Sequence, residues 1–418
     1  MADSIDKSVT DTKTTVEIPG AEEIIQDQQE KIEKVQSDGG PVEIEMDDQG
    51  GAEISFDPNA VTPEGGEEHF SNLAEFLDDG LLTELATTLS DKYTSYKESR
   101  ADWEDSYREG LDLLGFKYQR RTQPFRGASS VTHPVLAEAV AQFQATAYKE
   151  LLPSDGPVRT QILGNVTSQK QDQANRVKDF MNYQIMDQMK EYEPEFDQML
   201  FYLPLAGSTF KKVYYDDLLG RAVSKFVHSD DLVVPYSATS LEDAEAVVHV
   251  IKMSENELRK QQVSGFYKDI DLGEPPVVEN QLTEKKQELE GITQNGQEDM
   301  YTLLEFHIDL DLEGYEDVNP EDGEPTGIKV PYIVTVDTAN TEILSIRRNY
   351  QAEDPLKKKI NYFVQFKFLP GTGFYGFGLI HMIGGLTRTA TSALRQLLDA
   401  GTLANLPAGF KTRGVRIR

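Results

Sequence analysis

The sequence predicts an α+β fold, and two patterns carry that expectation. Apolar residues recur at three- and four-residue steps through 71–113, 135–152 and 379–404, which places one stripe on one helix face. Alternating apolar runs bounded by turn residues fill 207–227 and 246–348, the period of half-buried strands. The charge distribution then divides the chain. Of a net charge of -31, -15 falls in the first 70 residues, where 19 Asp or Glu face 4 Lys. From Pro355 to Arg418, ten Lys or Arg face one acid, Asp399. Four regions are expected: a disordered acidic tail over 1–70, a mainly helical region with a β-hairpin over 71–245, a strand-rich region over 246–350, and a last region over 351–418 made of a strand, a Gly-rich turn, a long helix and a basic tail.

The tail is too polar to bury the apolar surface that folding requires; within it Ile24–Val35 could form at most a transient helix. Leu73, Phe76, Leu77, Leu81, Leu82, Leu85 and Leu89 form a first helical stripe, and a second helix is expected from Tyr93 through Trp103 to Leu113. Tyr118–Ser130 is a polar loop whose Arg120, Arg121 and Arg126 are expected to be solvated, with phosphate contact as the sharper option. Pro134 can start the next helix, to Leu152, with Ala137, Ala141 and Ala145 as a small face for close contact. Val158–Leu163 reads as a strand, Gln169–Met189 and Glu195–Ala206 as helices, and Gly207–Asp216 with Ala222–Val227 as a hairpin. Short strands follow at Asp231–Tyr236 and Ala246–Met253. Ser254-Glu-Asn-Glu257 then has capping-box spacing at the head of a helix. Glu279–Asp299 reads as a loop or an exposed helix, and Thr302–Asp311, Tyr332–Asp337 and Glu342–Arg348 as strands.

The last region begins with an apolar strand, Asn361–Leu369, and a turn containing Gly371, Gly373, Gly376 and Gly378. The first three spell G-x-G-x-x-G between a strand and a helix, the setting of a dinucleotide fingerprint. The second strand of a βαβ unit is missing, and Asp399, at about the right distance for the acid, lies inside the helix. The glycines are therefore expected to serve backbone geometry. Gly384 and Gly385 sit mid-helix, suggesting a kink or close packing. Arg388 and Arg395, seven residues apart, share a second face of that helix, and Lys411, Arg413, Arg416 and Arg418 follow.

Catalytic patterns are scarce. There is no G-K-[ST] loop, H-E-x-x-H or G-x-S-x-G, and His69, His133, His228, His249, His307 and His381 lack ligand spacing. Asp309, Asp311, Glu313 and Gly314 open like a calcium loop, but Pro320 stands where the bidentate Glu belongs. The absence of cysteine excludes disulfides and thiolate metal sites. No enzyme activity, cofactor or metal is expected. Without an apolar run of membrane-spanning length or a secretory signal, neither a membrane location nor export is expected.

Five ordered stretches together resemble portal proteins, the head-to-tail connectors of tailed bacteriophages, in the large-portal group of short-tailed phages. They are Pro124-Phe-Arg-Gly-Ala-Ser-Ser-Val-Thr-His-Pro134 with the helix to Pro153; Leu203-Pro-Leu-Ala-Gly-Ser-Thr-Phe-Lys-Lys-Val213; Asp231–Ser240; Lys252–Arg259; and Gly373–Gly378 with Leu394–Gly401 and Leu406–Phe410. The resemblance spans roughly 70–418 and implies a ring, usually of twelve copies, at one capsid vertex of the virion, assembled in the bacterial cytoplasm. It implies a conduit for double-stranded DNA in packaging and ejection, docking of the packaging terminase, contacts with capsid and scaffolding proteins, and later docking of tail or adaptor proteins. On that resemblance 71–245 is wing-like, 246–350 suits the clip, and 351–418 suits the stem and channel. Arg388, Arg395, Lys411, Arg413, Arg416 and Arg418 are then the candidates to meet DNA, weakly and without sequence preference. Family members run longer, so a further C-terminal part is expected beyond Arg418. The alternatives are a nucleotide-binding enzyme built on Gly371, Gly373 and Gly376, and a head-tail adaptor without a channel.

Overall fold

The computed structural model describes residues 43–46, 52–55, 69–116, 121–216, 219–273, 275, 281–291, 300–318, 324–371 and 373–405. The chain forms two compact units, Met1–Ser71 and Asn72–Arg418. In the first, strands β1 (Glu43–Met46) and β2 (Ala52–Ser55) pair antiparallel. The rest of the acidic tail, including the expected transient helix, lies outside the described residues apart from His69 and Phe70.

The second unit is α+β, with two antiparallel sheets and eight helices among the described residues. The larger sheet has the order β5-β6-β7-β8-β9, from Leu232–Val233, Ala246–Ser254, Met300–Leu310, Val330–Asp337 and Ile343–Arg348. The smaller has the order β10-β3-β4, from Phe363–Lys367, Ser208–Asp216 and Arg221–Val227. β10 pairs with β3, so the last sequence region completes a sheet begun in the second.

Strand β7 organises the core, and eight consecutive residues of it are buried. Because side chains alternate across a strand, Leu304, Phe306 and Ile308 face one way, into a cluster with Tyr332, Val334 and the helix α1 (Asp79–Ser99) residues Leu82, Ala86 and Leu89. Tyr301 and Leu303 face the other way, onto Leu258 of helix α6 (Glu255–Val263) and Leu344. Fully buried aromatics such as Phe306 and Tyr332 contribute about 1.5–3 kcal/mol each by leaving water.

Several elements differ from expectation for visible reasons. Leu73 lies in a short 3-10 turn, Leu73–Glu75, because the Asn72 side chain accepts the Ala74 and Ile346 amides and donates to Leu344 O. Helix α1 runs past the expected break because Tyr93 and Tyr96 continue its core face. It stops at Arg100, where α2 (Ala101–Asp112) starts. Val158–Leu163 is not a strand: its end is held by a side chain instead, with Val158 N–H donating to Asn182 Oδ1 at 2.9 Å. The expected Asp231–Tyr236 strand shortens to Leu232–Val233, since Arg100 takes the Leu232 carbonyl and Pro235 has no N–H. Gln169–Met189 becomes α4 (Ser168–Tyr183) with a π turn over Gln184–Gln188. Helix α7 (Gln281–Glu290), expected to be a loop or an exposed helix, buries Leu282 and ties Lys286 to Asp230 at 2.8 Å. The capping box of Ser254 and Glu257 forms as its spacing requires.

Helices α3 (Val135–Leu151), α5 (Tyr192–Ala206) and α8 (Leu379–Asn405) pack beside α2 around Leu136, Val140, Leu205 and Ile380. Helix α5 ends at Gly207, whose φ of 90° is left-handed. There the chain meets the Gly-rich turn that leads into α8.

Candidate functional site

The turn lies backbone against backbone with Gly207. A Cβ on Gly376 would lie 2.6 Å from Gly207 O, and one on Gly378 2.3 Å from Leu205 O. A Cβ on Gly371 would meet Tyr375 O at 2.8 Å, whereas one on Gly373 would meet nothing within 4 Å. Three amides at the end of the turn are occupied. Gly376 N–H donates to Ser208 Oγ at 2.7 Å, Phe377 N–H to Leu369 O at 2.9 Å, and Gly378 N–H to His381 Nδ1 at 3.1 Å. The preceding strand is antiparallel to its neighbour, so no βαβ crossover surrounds the motif.

Helix α8 leaves this turn with Ile380 pressed on Gly110 of α2, where any Cβ would come within 2.3 Å of it. Four contacts pin the helix to segment 121–134. Thr391 Oγ1 accepts from His133 N–H at 3.1 Å, and Asp399 Oδ1 from Ser129 N–H at 2.6 Å. Arg395 donates to Val131 O at 2.6 Å and Thr132 Oγ1 at 3.2 Å. A cavity of about 710 Å³ opens between α2, this segment and α8, and its wall includes Arg121, Arg388 and Arg395.

The two expected arginines of α8 thus line one cavity, as their spacing implies. Arg388 pairs with Glu109 at 2.8 Å, both well exposed. Arg395 turns back onto its own chain, and burial, then the Arg121 charge, lowers its pKa against the opposing pull of Asp399. Arg121, expected to be solvated, is half-buried in the same wall and donates to Ser129 O at 3.3 Å. Gly384 is buried, with Leu113 3.4 Å from the place of a Cβ, while Gly385 has open space. Lys411, Arg413, Arg416 and Arg418 lie outside the described residues, as does Arg120. Asp309, Asp311 and Glu313 form no metal-holding group of three among the described residues.

Two buried polar clusters escaped sequence reasoning because their members come from distant strands and loops. Arg100 donates to the carbonyls of Ser229, Asp230 and Leu232 and to Tyr375 Oη. Burial opposes its charge, but Tyr375, Glu104 and Asp230 outweigh burial and raise its pKa. Beside it burial raises the Asp230 carboxyl, yet the Lys286 ammonium and His228 win and hold it low. In the second cluster Glu305 accepts from Lys212 at 2.6 Å and lies 2.8 Å from His307 Nε2, between the two sheets. Burial lowers the pKa of both His307 and His249, while Lys212 and the two imidazoles keep Glu305 well below the usual carboxylate range despite its burial. The even spacing of Glu305 and His307 on β7 was the one signal that placed them on a common face.

Set against known proteins, the chain matches no protein-family model and no curated protein.

Proposed function

We propose that the chain is a portal-type protein whose copies assemble into a ring at one capsid vertex. The ring passes double-stranded DNA inward during packaging and outward during ejection, and it docks the packaging terminase and then tail or adaptor proteins. It works as a structural conduit without a cofactor. The observation that carries this reading is the outer face of α8. Leu386 and Leu397 are 69% and 71% exposed, and Met382 is exposed beside them, on the helix that also carries Arg388 and Arg395. A long helix with an uncovered apolar face is a surface built to be covered. The five-stretch resemblance names the neighbour, a further copy of the chain.

The physics of a conduit agrees. Phosphate contacts dominate nucleic-acid affinity, so a channel that must release its load keeps few of them. A net charge of -31 opposes long-range attraction of DNA and leaves local arginines to make the contact. The nucleotide-enzyme alternative has fewer donors to offer, because three amides of the turn, those of Gly376, Phe377 and Gly378, already serve Ser208, Leu369 and His381. The described residues contain no helix long and apolar enough to cross a membrane.

Mass by light scattering, followed by negative-stain imaging, tests the reading. Closed rings with a central opening are the expected outcome; a species that stays monomeric at high protein concentration in moderate salt would remove it.

A further inference from the structure

The wall of the cavity beside α8 carries three arginines, Arg121, Arg388 and Arg395, and three carboxylates, Glu109, Asp112 and Asp399, but they are unevenly paired. Arg388 on its wall is matched by Glu109 at 2.8 Å, and Asp112 by Lys285 at 2.6 Å, an ammonium it shares with Glu288 at 2.8 Å. Of the acids on the wall, Asp399 is the one left beside Arg121 and Arg395. Asp399 is buried and spends one oxygen on the Ser129 amide. Arg395 spends donors on Val131 O and Thr132 Oγ1, and Arg121 donates to Ser129 O. Among the described residues no carboxylate bridges the two guanidiniums, which share one cavity wall, and the Arg121 charge acts on Arg395. Two like charges facing one half-enclosed space favour an anion between them.

We propose that this cavity binds the phosphate group of an organic phosphate. A carboxylate has two oxygens and satisfies one guanidinium fork, whereas a phosphate monoester presents three and satisfies two. The hydroxyls of Ser130 and Thr132 accept from the arginine side of the wall and keep their own protons to donate to the ligand. A space of about 710 Å³ far exceeds a bare phosphate and falls in the usual range of small-molecule sites. Its wall also includes Leu113, Phe125 and Leu289, which suits an apolar or aromatic group carried by the ester. A free phosphate monoester meets this chemistry in full, and a phosphodiester of DNA, with two free oxygens, meets it in part; only the DNA form rests on the portal reading.

The test is calorimetric titration of the full chain with phenyl phosphate and with inorganic phosphate, at constant ionic strength. One site per chain is expected, with phenyl phosphate the tighter ligand. Losing a charge-assisted bond is worth about tenfold in affinity or more, so Arg121→Gln should weaken binding by at least about that factor. Leu403→Trp narrows the cavity from an exposed position without altering charge, and should also weaken it. Arg176→Gln, on the exposed α4, should bind as the parent does. Parent-like binding by Arg121→Gln or by Leu403→Trp would overturn the proposal, and so would an equal loss in Arg176→Gln. A short duplex that displaces phenyl phosphate assigns the site to the DNA backbone. A duplex that does not displace it assigns the site to a free ester and leaves the portal reading to its own test.

Discussion

Gly207, Gly376 and Gly378 hold two chain segments at a distance that no side chain permits. Gly376→Ala and Gly378→Ala each place a methyl against carbonyl oxygen, at 2.6 and 2.3 Å, and backbone cannot step aside as a flexible side chain can. Each is expected to cost about 1–3 kcal/mol or more in a urea unfolding curve, the range of overpacked sites. Gly373→Ala meets open space and should stay within about 0.5 kcal/mol of the parent. The G-x-G-x-x-G pattern hides that difference, since spacing cannot say which glycine faces backbone. His228 makes a second residue-scale prediction. It sits edge-on to Tyr202 and Phe226, and burial, then the Lys286 charge, takes its pKa from 6.5 to about 4. Above pH 6.5 both folded and unfolded forms are neutral there, and its contribution is intact. Between 6.5 and about 4 the unfolded chain binds a proton that the folded chain refuses, so stability falls as pH falls. Neighbouring Asp231 works in the opposite sense: burial and the Asp230 charge raise it from 3.8 to about 7, so its share of stability falls as pH rises across that interval. A difference measurement separates them. His228→Phe keeps the aromatic packing and removes the titration, and the stability of parent minus variant should fall toward acid by up to about 1.4 kcal/mol per pH unit. A difference that stays flat from pH 7 to 4 would show that His228 titrates freely in the fold.

At the scale of elements, α7 shows what the buried charges hold. Its sequence is polar, but Lys286 reaches Asp230 at 2.8 Å with both side chains largely hidden. Lys286→Ala strands the Asp230 carboxylate and is expected to cost about 3–5 kcal/mol. A double variant, Lys286→Met with Asp230→Asn, should recover much of that loss, because no unpaired charge remains. A double variant as unstable as the single one would place the cost in packing instead. The same element marks the limit of sequence reasoning. Strands β6, β7, β8 and β9 and helix α8 were legible because their own periodicity encodes them, and the capping box of Ser254 fixed one boundary to the residue. Helix α7, the Arg100 break and the loss of the Val158–Leu163 strand were not, because each depends on one side chain meeting a partner far along the chain: Lys286 the Asp230 carboxylate, Arg100 the Leu232 carbonyl, and Asn182 the Val158 amide. The candidate site was half legible for the same reason. Arg388 and Arg395 share a helix face by their spacing, whereas Arg121 joins them only through the docking of segment 121–134.

For the whole molecule the central opposition is between charge and apolar surface. A chain of net -31 repels its own copies, and in the proposed ring the exposed apolar face of α8 would draw them together. Burying a leucine that is about 70% exposed contributes at most roughly 1.5–3 kcal/mol, and the proposed ring would repeat that gain at every subunit boundary. The repulsion is long-ranged and screened by salt, with a Debye length of about 10 Å at 0.1 M and about 3 Å at 1 M. The apolar contact is short-ranged and does not weaken as salt rises. Assembly should therefore improve with salt, the opposite of a complex held by ion pairs between acidic and basic faces. Light scattering across 0.05–1 M NaCl would follow the mean mass directly; those concentrations bracket the screening lengths that matter. Leu386→Glu and Leu397→Glu add charge to the α8 face from positions 69% and 71% exposed in the single chain. Their unfolding curves should stay within about 0.5 kcal/mol of the parent, as for other exposed sites, while their mass remains that of one chain at salt concentrations where the parent assembles. If both variants assemble as the parent does, another surface carries the contact. If the parent's mass falls as salt rises, ion pairs hold the copies together, and the apolar face of α8 is not what joins them.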